Sequence, residues 1–211
     1  MSKYGKITAG LLLVWFVAVF SASAGHLFKN QSAQFGLGVA VSALVPMVVF
    51  SLWFTVSEGF RNFALSLNPR TLTSVQVWRI LGFTFLLLEA RNVLPSVFAL
   101  PAGYGDMFIG VTAGFAAWKL AEPAHRGSFL FWQALGILDL ISAVSLGTTA
   151  RLLDPHGPSM VAMTVLPLSL IPTFLVPLFL MLHVICIAQA RNWKTASEER
   201  QSAGALERQA I

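Results

Sequence analysis

Charge and cysteine are both scarce in this chain. Of its 211 residues only 11 % are Asp, Glu, Lys or Arg, and Cys186 is the single cysteine. That is too little charge to clothe a soluble domain. One cysteine excludes an internal disulfide, and no Cys/His spacing suited to zinc is present. Cys186 reads as a small apolar filler of the last helix. Also missing are a Walker-type phosphate loop, a dinucleotide fingerprint and a serine nucleophile elbow. A soluble catalytic domain of those kinds is excluded, and an ATP-driven machine would have to borrow one. Strict period-2 alternation is lacking too, which argues against a membrane β-barrel.

Apolar residues are what the chain has. They make up 56 % of it, with a mean hydropathy of +0.72. Several stretches approach the roughly 20 apolar residues needed to cross about 30 Å of hydrocarbon. Backbone polar groups must be satisfied inside lipid, so the expected fold is all-α. We expect a polytopic six-helix bundle with helices near 7–25, 35–56, 75–94, 103–120, 128–148 and 163–190. It forms one transmembrane domain over 1–190, followed by a polar cytoplasmic tail over 191–211. In the tail, Thr195-Ala196-Ser197-Glu198 has capping-box spacing and predicts a short soluble helix. Lys3 and Lys6, the run from Leu11 to Phe20 and Ala22-Ser23-Ala24 also resemble a signal peptide. Residues 1–24 therefore read either as a retained first helix or as a cleaved leader.

Trp53, Trp78, Trp118, Trp132 and Trp193 fall at ends of apolar runs beside Lys or Arg, where indoles mark the membrane boundary. The formal net charge of +5 is unevenly placed. Lys3, Lys6, Arg61, Arg70, Arg79, Lys119, Arg126, Arg191, Lys194, Arg200 and Arg208 fall on one side, and Lys29, Arg91 and Arg151 on the other. Retention of basic loops in the cytoplasm then predicts an inner (plasma) membrane protein with both termini cytoplasmic. The basic balance is a signal of topology and of contact with membrane lipid, not of nucleic acid.

An internal repeat is visible. Trp78-Arg79-Ile80-Leu81-Gly82 and Trp132-Gln133-Ala134-Leu135-Gly136 both read W-x-x-L-G, and Arg91-Asn92-Val93-Leu94-Pro95 and Arg151-Leu152-Leu153-Asp154-Pro155 both read R-x-x-x-P. The third and fourth helices would then repeat as the fifth and sixth, in parallel about an axis along the membrane normal. Gly110 and Gly114 form a small-xxx-small face in the fourth helix, suited to close packing within the chain, in a homo-oligomer or against a partner subunit. Pro46 predicts a kink in the second helix, and Pro167, Pro172 and Pro177 bend the sixth.

Ionisable groups in hydrocarbon cost roughly 2.5–3.5 kcal/mol each, so they face the interior and find partners. Glu89 and Asn92 share a helical face at i, i+3, as do Asp139 and Ser142. Arg91 is expected to pair across helices with Asp106. Together Glu89, Arg91, Asn92, Asp106, Asp139 and Ser142 predict a polar patch in the outer half of the bundle, either a site for a small polar solute or ion or a cluster that fixes helix packing. The stretch from Leu94 to Asp106 holds two prolines and two glycines, Gly103 and Gly105, and is expected to be irregular or partly re-entrant, with its backbone lining the site. His183 reads as hydrogen-bonded packing or as a proton relay.

Gly103-Tyr104-Gly105-Asp106 resembles the G-x-G-D string of the intramembrane aspartyl proteases, the presenilin-like and prepilin-peptidase-like enzymes. The resemblance covers four residues. It implies a catalytic pair of aspartates that share a proton and activate water. Those families carry their other aspartate upstream, whereas Asp106 is the first aspartate of this chain, so Asp139 would have to serve from downstream. Haem is tested by depth. His26 and His183 lie roughly 25–30 Å apart at 1.5 Å per residue, too far to ligate one haem. His125 and His156 fall in loops. No metal site or other cofactor is implied.

Three function classes follow. The first is an integral membrane protein that binds or transports a small polar solute or ion through an outward-opening intramembrane site. The second is a non-catalytic accessory subunit of a larger membrane complex. The third, an intramembrane protease, is the one enzymatic reading.

Overall fold

The computed structural model describes residues 2–29 and 36–193. The capping-box segment Thr195–Glu198 lies outside them. The described residues are almost entirely helical and contain no strand. Helix α1 spans Lys3–Ala24, with Ser2 accepting from the Gly5 amide at 3.1 Å as its N-cap. Helix α2 spans Leu37–Val56 and contains Pro46. A short helix, α3 (Glu58–Leu65), is capped by Ser57 and turns Phe60 and Ala64 inward. Its Phe60 ring stacks on Trp53 at 3.8 Å.

Helix α4 runs over Pro69–Glu89. Asn68 caps it and Pro69 occupies its first turn, where a missing N–H costs nothing. Its middle, Val75–Gly82, winds as a 3-10 helix. Helix α5 spans Ser96–Phe115 and continues through a π turn, Ala116–Leu120. Helix α6 spans Arg126–Leu153. Helix α7 runs over Ile171–Arg191, opening with a π turn at Ile171–Leu175. Among the described residues five helices, α1, α2, α4, α6 and α7, are long and apolar enough to cross a membrane. Helix α5 is 20 residues long but is diluted by two glycines, a tyrosine and Asp106 in its middle.

Several boundaries differ from those expected, among them the third helix, expected near 75–94 and found over Pro69–Glu89, and the fifth, expected near 128–148 and found over Arg126–Leu153. The stretch from Leu94 to Asp106 is helical from Ser96 onward, not irregular: Pro95 sits before the first turn, Pro101 forfeits one hydrogen bond, and Gly103 and Gly105 lie inside the helix. Asn92 is not on the helix that carries Glu89. It follows the helix end at φ 55°, a left-handed conformation that Asn tolerates better than most residues. The last helix starts at Ile171 instead of 163, because Pro167 and Pro172 withhold amides that an earlier start would need.

Several connections meet the start of α1 and the end of α7 at one end of the bundle. Tyr4 lies 6.4 Å from Trp53, ring to ring, Arg70 is 3.8 Å from Glu122, and Arg126 donates to the Arg191 and Trp193 carbonyls. Gln189 donates to the carbonyls of Ala64, Leu65 and Leu67, tying α7 to the end of α3. An apolar layer around Leu72, Phe129 and Ile185 fills this end, and another around Phe85, Phe98 and Met163 fills the opposite half. A polar layer lies between the two.

Candidate functional site: a buried arginine between two aspartates

The polar layer begins with a spacing of three in α4. A 3-10 helix has three residues per turn, so residues i and i+3 eclipse and line up along one edge. Thr73, Gln76, Arg79, Gly82 and Phe85 are buried at that spacing, while Trp78, Ile80, Leu81 and Phe83 face outward. In an α-helix the same residues would drift about 60° per step and spread around the axis. The 3-10 segment thus delivers Arg79 to the centre of the bundle.

There the guanidinium uses all three of its nitrogens. Arg79 Nε donates to Asp106 Oδ1 at 2.7 Å, Nη2 pairs with Asp139 Oδ2, and Nη1 meets the Gly136 carbonyl at 3.1 Å and His183 Nε2 at 3.3 Å. The Arg79 side chain is 1 % exposed, against 14 % for Asp106 and 15 % for Asp139. A buried cation of this kind persists only with such partners.

His183 continues the network, and its tautomer follows from its neighbours. Arginine can only donate, so Nε2 accepts and Nδ1 carries the proton, which faces Gln133 Oε1. Gln133 Nε2 then donates to Thr73 Oγ1 at 3.2 Å, and Thr73 lies 3.8 Å from Cys186 Sγ. Gln76 Nε2 donates to the Phe179 carbonyl at 3.4 Å. The chain Arg79–His183–Gln133–Thr73 crosses between α4, α6 and α7 without leaving the interior.

Glycine makes this proximity possible at two places. A Cβ on Gly136 would run into the His183 ring, and one on Gly105 would run into the Asp139 carboxylate. The small-xxx-small face is divided: Gly110 is buried against the backbone of Arg79 and Ile80, whereas Gly114 is exposed with nothing within 4 Å of its would-be Cβ. Close approach at Gly110 is therefore consumed inside the chain.

Asp106, Asp139 and His183 converge on Arg79; the other expected residues do not. Glu89 accepts from Ser96 Oγ at 2.7 Å at the end of α4, and Arg91 and Asn92 are exposed beyond it. Asp106 pairs with Arg79 and not with Arg91, because the 3-10 edge carries Arg79 inward while Arg91 follows the helix end. Ser142 is half-buried one turn beyond Asp139. Arg79 itself is not a loop cation: it occupies the middle of α4, so Trp78 faces outward at mid-helix and not at a boundary. Trp132 is buried and donates to Thr112, whereas Trp118 stays exposed beside Arg70.

Sequence reasoning missed Arg79, Thr73 and Gln76, while Gln133 and Gly136 extend the expected Asp139–Ser142 stripe. Two signals were available. One is the T-x-x-Q-x-x-R-x-x-G spacing of three in α4. The other lies in the W-x-x-L-G strings: the residues after the two tryptophans, Arg79 and Gln133, contact the two nitrogens of the same imidazole, and both final glycines, Gly82 and Gly136, abut the cluster.

Asp106 also lines a cavity of about 420 Å³ between α2, α6 and α7. The walls are mostly aliphatic and aromatic, with Ser145 and Thr148 beside Asp106 as the polar exceptions, and the Thr148 hydroxyl is already donated to its own helix at Val144. The lining uses the first half of α2, the second half of α6 and the first turns of α7, so the cavity lies in the half of the bundle away from Arg126 and Arg191. Among the described residues no three His, Cys, Asp or Glu side chains are gathered as metal ligands.

In the cluster a guanidinium stands between the two aspartates that the G-x-G-D resemblance would pair. Asp106 Oδ1 and Asp139 Oδ2 are each committed to Arg79.

No curated protein and no solved structure matches the chain. A family model does match, over residues 34–191, which takes in α2 through α7 and every member of the Arg79 cluster. The chain belongs to the family described as "Domain of unknown function (DUF8737)".

Proposed function

We propose that this membrane protein binds, and passes across the bilayer, a small molecule that enters the cavity beside Asp106. The observation that carries the reading is the double role of Asp106: one oxygen is held by the buried Arg79, and the residue also lines a cavity of about 420 Å³. Small-molecule sites typically have roughly 300–1,000 Å³, mostly apolar walls and a few placed polar groups. In this reading α5 crosses the membrane with the other five long helices, giving six spans. Both termini lie in the cytoplasm of a cell bounded by the inner membrane, and the cavity belongs to the outer half. Ten cations flank the cytoplasmic side once Arg79 is moved into the bundle, against three outside, which supports that orientation.

The test uses 4-phenylbutylammonium, 4-phenylbutanol and 4-phenylbutyrate, three probes with one apolar body and different heads. Binding of at least one of them to the purified full chain in detergent, lost in Ala43→Phe, is expected. Ala43 lines the cavity and a phenyl group there would project into it and take up part of its space. If none binds, or if Ala43→Phe binds as well as the native chain, the cavity is not a ligand site. The accessory-subunit reading has one observation behind it, the small share of α1 and α2 covered by the rest of the chain. Co-purification of a defined partner, with no probe binding, would favour it.

A further inference from the structure

With both of its carboxylates ionised, the Arg79 cluster is one positive charge short. Two carboxylates, from α5 and α6, face one guanidinium from α4. His183 of α7 accepts a hydrogen bond from Arg79 and adds no charge. Helix α2, which closes the cavity, carries no ionisable residue between Leu37 and Val56. The deficit is felt where the cluster opens, because Asp106 is the charged residue in the cavity wall and its Oδ2 has no hydrogen bond among the described residues. Charges in such surroundings are poorly screened, so an opposite charge is strongly favoured there.

We propose that the cavity takes a lipophilic monocation: an apolar body with one ammonium head that donates to Asp106 Oδ2. This rests on the small-molecule site proposed above. The apolar walls would hold the body by burial, at roughly 25 cal/mol per Å² of apolar surface removed from water. They offer nothing to a hydrated inorganic ion or a sugar, whose polar groups would go unpaired. An anion would meet the Asp106 carboxylate. A neutral molecule of the same shape would fill the space and leave the charge deficit in place.

The three phenylbutyl probes decide the matter through their heads. On the native full chain in detergent, 4-phenylbutylammonium is expected to bind at least tenfold more tightly than 4-phenylbutanol, with 4-phenylbutyrate weakest. Asp106→Asn is expected to bring the ammonium down to the level of the alcohol while the alcohol is unchanged. Equal binding of ammonium and alcohol to the native chain would overturn the cation proposal and leave the cavity as a neutral site. Tightest binding of the butyrate would overturn it as well. Failure of all three would remove the cavity site itself. Should Asp106→Asn not fold, the head-group ranking on the native chain still decides, and Asp106→Glu, which keeps the charge, is expected to keep the preference for ammonium.

Discussion

Arg79 Nη1 lies 3.3 Å from His183 Nε2, so a permanent cation and a neutral imidazole share one hydrogen bond at the centre of the bundle. The contact is tolerable because Asp106 and Asp139 hold the rest of the guanidinium. Removing the cation should therefore expose the carboxylates to each other. Arg79→Ala is expected to destabilise the protein by about 3–5 kcal/mol, the usual cost of leaving a buried charge without its partner. Arg79→Lys should recover only part of this, because an ammonium is a compact point charge and cannot copy a planar fork that serves four acceptors. The triple variant Arg79→Met, Asp106→Asn, Asp139→Asn should be more stable than Arg79→Ala alone. SDS-induced unfolding in mixed micelles measures all three, and native-like stability of Arg79→Ala would show that the cluster does not hold the bundle.

The glycines give a sharper contrast because their surroundings differ. Gly136→Ala drives a methyl into the His183 ring and Gly105→Ala drives one into the Asp139 carboxylate. Each should cost about 1–3 kcal/mol, the range for overpacking a filled interior. Gly114→Ala meets nothing within 4 Å and lies in the last turn of α5. It should be neutral or stabilise by about 0.5–1 kcal/mol through helix propensity. Thermal unfolding of the four proteins side by side tests the pattern, which fails if Gly114→Ala is the most damaging.

Orientation is tested by placing the only cysteine. In a Cys186→Ala background, His156→Cys and Ser66→Cys put a thiol on exposed residues of two different connections, one after α6 and one after α3. A membrane-impermeant maleimide added to intact cells should label His156→Cys, and should label Ser66→Cys only after permeabilisation. The reverse result would invert the proposed topology.

The helical class was legible because long apolar runs leave few alternatives, and the structure is helical throughout its described residues apart from turns. Element ends were harder to read. Pro101 suggests a break, yet the helix continues through it, since neighbouring turns supply most of the backbone hydrogen bonds. The site was legible in part. Asp106, Asp139 and His183 are costly residues in apolar runs and drew notice for that reason, but their shared partner did not. Arg79 was counted among the loop cations because it follows a tryptophan. Assuming 3.6 residues per turn hid a stripe whose period is 3. The polar spacing of three is visible in the sequence, but the 3-10 winding that lines it up depends on what packs against it: here Gly110, which lets α5 come close to the backbone at Arg79 and Ile80.

Gln189 closes the opposite end of the same bundle, and its loss should be local. Its amide nitrogen serves the carbonyls of Ala64 and Leu65 in the last turn of α3 and of Leu67 just beyond it. No other side chain among the described residues donates to these three carbonyls. Gln189→Ala removes this donor from the part-buried Leu65 and Leu67 carbonyls, at a cost of about 1–3 kcal/mol. Because the contact joins the end of α7 to the connection between α3 and α4, the effect should concentrate there and spare the Arg79 cluster. Amide hydrogen exchange in Gln189→Ala should therefore accelerate over residues 58–68 and remain unchanged around Gly136 and His183. Exchange that accelerates evenly across all helices would mean that Gln189 supports the whole bundle, not one joint of it.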